Sequence, residues 1–184
     1  LVEALAAGTL PVLIQGETGV GKEIVARALH AWSPRRAGPF VAVNCGSLPE
    51  TLLQNELFGH EKGAFSGAQD ARPGLIEAAN GGTVFLDEVG ESSPRTQAEL
   101  LRVLDTKRVR RLGSLVERPV DVRFAAATSR TLEQDVGDGR IRRDFYYRIT
   151  GATLVVPPLR RRRLEIPLLA RWFLEEACRS AARP

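Results

Sequence analysis

Short apolar runs rich in β-branched residues alternate along this chain with longer segments whose apolar residues recur every three or four positions. The runs are "PVLIQG" (11–16), "PFVAVNC" (39–45), "GTVFLDE" (82–88), "VRFAAATS" (122–129) and "ATLVVPP" (152–158). Between them lie "KEIVARALHAW", "ETLLQNELFG", "RTQAELLRVLD" and "TLEQDVGDG". Runs of the first kind read as buried strands and segments of the second as helices. Strands separated by helices pair in parallel, so the pattern predicts an α/β fold: a parallel five-stranded sheet with helices on both faces. Ser93-Pro94 supplies a helix start, with proline in the first turn. "VPPL" at 156–159 ends the last strand, because proline cannot donate to a ladder. Beyond it, Leu168, Leu169, Trp172, Phe173 and Leu174 form a broad stripe on a further helix. The expected organisation is therefore a core over 1–158 and the start of a helical subdomain over 159–184.

Two segments carry candidate chemistry. "LIQGETGVGKE" sets Gly16, Glu17, Thr18, Gly19, Val20, Gly21, Lys22 and Glu23 directly after a strand and before a helix, the context a P-loop requires. Glycines let successive N–H groups turn inward around phosphates, the helix N-terminus adds partial positive charge, and Lys22 reaches the β and γ phosphates of ATP. Glu23 stands where Ser or Thr usually supplies a magnesium ligand. A glycine-rich turn without a ligand is the competing reading. "GGTVFLDEVGE" delivers Asp87 and Glu88 at the C-terminal end of a strand, where open α/β sheets bind ligands. Adjacent carboxylates on a strand point apart, which assigns Asp87 to the Mg²⁺ shell and Glu88 to the attacking water. Two surface acids after a strand are the plainer alternative.

Charge and composition add less. The chain has 184 residues and a net charge of +4, a size suited to one core. The basic residues cluster in "KRVRR" (107–111) and "LRRRRLE" (159–165), which read as a solvated face, a subunit contact or a phosphate-backbone site. No apolar run is long enough to span a bilayer and no leader pattern opens the chain, so a cytoplasmic protein without membrane attachment is expected. Cys45 and Cys178 lack CxxC spacing, and with His30 and His60 they are too few for a zinc site.

These segments resemble the AAA+ ATPase domain of bacterial sigma-54-dependent transcription activators, the enhancer-binding proteins. The resemblance covers most of residues 11–175. It rests on "GETGVGKE", in which Glu after the lysine is a familiar form; on "FVAVNCGSLPETLLQNELFGHEKGAFSGA"; on "GGTVFLDEVGE"; and on "RRDFYYRI" and "VPPLRRRRLEIPLLA", which look like the entry to a helical lid. It implies that Gly63, Ala64, Phe65, Ser66, Gly67 and Ala68 form the loop that contacts sigma-54 when ATP is bound. The family's usual GAFTGA is here GAFSGA. Phe65 offers one apolar anchor between hinge-like glycines, although alone it could tuck into the core. The resemblance further implies that Asn44 bonds Glu88 as a switch and that Thr128 senses the γ-phosphate. Ser129 stands where Asn is usual. Arg142 and Arg148 would reach the nucleotide of a neighbouring subunit in a ring, which the resemblance implies is a hexamer.

The family's lid continues past the equivalent of residue 184 to a second sensor arginine, and DNA binding belongs to a separate domain. Two functions follow: an ATP-hydrolysing domain that remodels the sigma-54 RNA polymerase closed complex, or a nucleotide-binding interaction module with little turnover.

Overall fold

A computed structural model describes residues 2–181; residues 1 and 182–184, which fall within the two expected ranges, lie outside the described residues. Helix α1 (Val2–Ala6) precedes strand β1 (Val12–Gln15) and helix α2 (Lys22–Ala31). Strand β2 (Phe40–Asn44) leads to α3 (Glu50–Phe58), a ribbon of β3 (Gly59–His60) and β4 (Arg72–Pro73), and α4 (Leu75–Ala78). Then come β5 (Thr83–Asp87), α5 (Pro94–Thr106) and a hairpin of β6 (Arg108–Arg110) and β7 (Glu117–Pro119). Strand β8 (Arg123–Thr128), α6 (Leu132–Gly137), α7 (Arg143–Ile149), β9 (Ala152–Val155) and α8 (Ile166–Ala181) complete the chain.

The five longer apolar runs form one parallel sheet in the order β2-β5-β8-β1-β9. Successive side chains on a strand face opposite ways, and this divides the core in two. Leu13, Leu86, Phe124 and Ala126 face Leu57, Leu100, Phe145 and Ile149 on one side. Val12, Ile14, Phe85, Ala125 and Ala127 face Ala6, Ala26 and Leu29 on the other. Helix α5 starts as its sequence predicts: the Ser93 hydroxyl oxygen accepts the Thr96 N–H at 3.2 Å and Pro94 opens the first turn.

Three features matter for the site. Segment 142–149, within the 1–158 range, supplies α7, with Phe145 and Ile149 fully buried. The β6–β7 hairpin interrupts the chain between α5 and β8. The loop at 61–71 rises from the β3–β4 ribbon, whose backbones approach so closely that a Cβ built on Gly59 would meet the Arg72 carbonyl, and one on Gly74 the Leu57 carbonyl.

Candidate functional site

The C-terminal ends of β1, β5 and β8 lie side by side because these strands are hydrogen-bonded neighbours. From β1 the chain turns through residues 16–21 into α2. Gly19 and Gly21 take φ of 82° and 94°, which side-chain-bearing residues rarely adopt. Among the described residues, the N–H groups of Thr18, Gly19 and Gly21 have no hydrogen-bond acceptor. Amides left free beside a helix N-terminus fit an anion, and a polyphosphate in particular. Lys22 lies 7% exposed at the first position of α2, and its Nζ donates to the carbonyls of Gly16 (3.0 Å) and Glu17 (3.4 Å) and to Glu88 Oε1 (3.2 Å). Glu23 does not turn to this site: its carboxylate takes both Nε and a terminal nitrogen of Arg27, one helical turn on.

The two acids separate by backbone conformation rather than by strand alternation alone. Asp87 is the last residue of β5, whereas Glu88 has already left the strand in the left-handed region, at φ 48° and ψ 49°. Holding a non-glycine residue there stores strain that is common at functional sites. Asn44 pairs in register with Asp87 across β2 and β5, so its Nδ2 donates to Asp87 Oδ2 at 3.3 Å. The expected bond from Asn44 to Glu88 is therefore not formed. Glu88 swings instead toward the end of β8, where the N–H (3.0 Å) and hydroxyl (2.9 Å) of Ser129 both donate to its Oε2. Thr128 is the last residue of β8. Its side chain is fully buried, its Oγ1 accepts the Arg130 N–H at 3.1 Å, and its carbonyl accepts the Gly16 N–H at 3.2 Å.

Electrostatics separates the pair further. Burial and the Glu88 charge raise the Asp87 pKa, against the pull of the Glu88 N–H, Lys22 and Asn44. For Glu88 burial also acts upward, but the two Ser129 donors and Lys22 outweigh it and leave its pKa below the ordinary carboxylate value. Among the described residues no group of three or more His, Cys, Asp or Glu side chains forms a metal cage. A single carboxylate fits Mg²⁺, which usually keeps its waters and borrows substrate phosphate oxygens.

Comparison with known proteins decides the family. The sigma-54 interaction domain matches residues 1–155. The chain belongs to that family. The domain is 55% identical over 165 residues to the Nif-specific regulatory protein of Herbaspirillum seropedicae, covering 90% of this chain and 30% of that protein. It is 52% identical over 175 residues to the hydrogenase transcriptional regulatory protein HoxA of Cupriavidus necator, covering 95% of this chain and 36% of that protein. The chain thus spans about a third of the length of these curated relatives. Crystal structures of NtrX from Brucella abortus, in complex with ADP and with ATP, share 36% identity with it at TM-scores of 0.89; they cover 100% and 98% of this chain and 40% and 39% of NtrX. The fold of this chain is also that of the P-loop NTPase domain of a sigma-54 transport activator from E. coli, at a TM-score of 0.59 and 20% identity, over 86% of this chain and 90% of that one.

The loop at 61–69 makes no hydrogen bond to residues 16–22, Asp87 or Glu88 among the described residues. In residues 61–69 the Gly63 N–H bonds the Ala68 carbonyl at 2.9 Å, and Phe65 at the tip is 46% exposed with its ring 5.1 Å from that of His60. Phe65 is thus outside both core clusters. The β6–β7 hairpin braces the loop from below. Leu112 exchanges backbone bonds with Gly59 and Glu61, and Arg111 and Arg118 share the Glu61 carboxylate at 3.3 and 3.0 Å while Arg111 also grips Glu77. Arg110 pairs with Glu99, so the 107–111 run serves internal contacts more than a basic stripe. Arg142 and Arg148 lie on the α7 side of the domain, half exposed and paired with Asp144 (2.7 Å) and Asp105 (2.8 Å). Neither bonds the P-loop of its own chain.

Proposed function

We propose that this domain binds and hydrolyses ATP with Mg²⁺ and uses the cycle to remodel the sigma-54 RNA polymerase closed complex in the bacterial cytoplasm, with 1–158 as the ATP-binding core and 159–184 beginning the lid. The observation that carries the reading is the contact of Lys22 with Glu88 across 66 positions of sequence, beside P-loop amides that have no internal acceptor. Residues 16–22 would hold the phosphates and Asp87 the metal ion, which when bound neutralises charge on the transferred phosphoryl group. Glu88, ionised at neutral pH, is suited to take a proton from water. In the present state its carboxylate is parked on Ser129 and Lys22, so phosphate arriving at Lys22 competes with it. The contact of Ser129 with Glu88 supports a part for Ser129 in holding and releasing Glu88, beside Asn44 on Asp87.

Arg142 and Arg148, half exposed and without a bond to their own P-loop, are suited to act on a neighbour's nucleotide in a ring. The exposed Phe65 supports residues 63–68 as the sigma-54 contact. DNA binding would reside elsewhere in the longer protein. A module that binds nucleotide with little turnover is the second reading, favoured by the doubly held Glu88. ATP turnover against protein concentration, in a chain extended through the lid, separates the two. Phosphate release abolished by Lys22→Ala supports hydrolysis; turnover equal in wild type and Lys22→Ala rules it out.

A further inference from the structure

The arginine run after β9 does more than decorate a surface. Arg160 reaches back 143 positions to lay its two terminal nitrogens on the Glu17 carboxylate, at 2.7 and 2.5 Å. Arg162 donates a terminal nitrogen to the Val20 carbonyl at 2.6 Å across 142 positions. Its other nitrogens are fixed too, Nε on the Pro157 carbonyl (3.1 Å) and NH1 on Glu165 (3.0 Å). The same segment presses on the start of the loop, where a Cβ added to Gly16 would lie 2.8 Å from the Val156 carbonyl oxygen. Residues 156–162 therefore meet the P-loop at its entry, its first corner and its apex.

We propose that Arg160 and Arg162 are positioning residues for the P-loop, a clasp that presets its amides for phosphate; the proposal rests on the reading of this site as an ATP site. The physical link is the planar trans peptide. Drawing the Val20 carbonyl toward Arg162 turns the N–H of Gly21 the opposite way, and Gly21 is among the amides with no internal acceptor. Because Gly19 and Gly21 both adopt left-handed conformations, the peptides between them lack the steric limits that would hold this orientation unaided. The fork of Arg162 supplies that restraint, since a guanidinium holds its donors in one rigid plane whereas the three donors of an ammonium are rotatable and issue from a single atom. Arg160 is the weaker arm, being 62% exposed, and Arg162 the stronger at 20%. The clasp also ties the P-loop to the segment that runs directly into α8.

The test measures two quantities in the extended chain for wild type, Arg160→Ala, Arg162→Ala and Arg162→Lys. One is the Kd for a fluorescent ATP analogue. The other is hydrogen exchange of the Val20 and Val25 amides without nucleotide, since these close the P-loop turn on Glu17 and Gly21. Arg162→Ala and Arg162→Lys should each weaken binding about tenfold, the scale of a charge-assisted hydrogen bond, and speed exchange at these amides. Arg160→Ala should weaken binding only about two- to fivefold, as an exposed pair does. Melting temperatures near wild type keep the effect local. Wild-type affinity and exchange in Arg162→Ala, or full recovery by Arg162→Lys, overturn the clasp. If wild type binds no ATP analogue, the ATP reading fails, while the nucleotide-free exchange rates still decide whether Arg160 and Arg162 order the loop.

Discussion

The Nζ of Lys22 stands 3.2 Å from Oε1 of Glu88, with the lysine almost wholly buried and the glutamate largely so. One carboxylate thus occupies the cation that a phosphate would need. Glu88→Gln should remove that competitor: affinity for an ATP analogue rises several-fold, while turnover falls by about 10² to 10⁴, the usual contribution of a general base. Equilibrium titration and phosphate release measure the two effects. Weaker binding by Glu88→Gln would show that the glutamate supports the phosphate site rather than competing with it.

The same substitution makes a titration prediction. The folded pKa of Glu88 is depressed, so its contribution to stability is complete above the unfolded value, about 4.3, and is lost as pH falls through the folded value. Asp87 has the opposite sign: its raised pKa favours the protonated form in the fold, and that contribution fades as pH rises through its folded value. Since the Glu88 charge is the second cause of the Asp87 shift after burial, Glu88→Gln should bring the Asp87 pKa part of the way down. Carboxyl carbon NMR across the acid range reads it directly. An unmoved Asp87 would mean burial accounts for the whole shift.

Arg142→Ala or Arg148→Ala should each reduce turnover by about 10³ or more if they act as arginine fingers. Activity should partly return on mixing either with Glu88→Gln subunits, because some interfaces then contain both intact halves. Turnover per subunit that stays constant down to dilute monomer would exclude a role across an interface.

Phe65→Ala should leave hydrolysis within a few-fold of wild type and abolish capture of sigma-54 in the presence of a γ-phosphate transition-state mimic. A half-exposed aromatic anchor of this type contributes about 2 kcal/mol or more. Ser66→Thr should bind as wild type does. Undiminished capture by Phe65→Ala would place the contact elsewhere.

Phe145→Ala should destabilise the domain by about 3 to 5 kcal/mol, because its ring is fully buried between α7 and the sheet. A melting temperature close to wild type would argue that α7 detaches readily from the core.

How much of this was legible beforehand follows the range of each interaction. The five sheet strands and the P-loop announced themselves because their signals are local: apolar runs, glycine spacing, a lysine opening a helix. Strand order is not local. That β8 lies against β5 and β1 is invisible in the chain, and so is the bond from Ser129 to Glu88, as is the register that sets Asn44 opposite Asp87. Strands of two and three residues, as in β3, β4, β6 and β7, carry too few alternations to show a period. The hold of Arg160 and Arg162 on the P-loop is hidden in the sequence because Glu17 and Val20 lie more than 140 positions away.

The narrow ribbon under the GAFSGA loop sets a boundary on how this protein can diverge. At the tip, a Cβ on Gly63 or Gly67 would meet no neighbouring atom, so their φ of 81° and 106° is the restraint on what stands there. At the stem, Gly59 and Gly74 sit backbone against backbone, and a single methyl group on either forces the two strands apart. Mutational drift and grafting experiments should therefore be able to rewrite the tip, exchanging one recognition sequence for another, while the two stem glycines stay fixed as the mount on which any such sequence is carried.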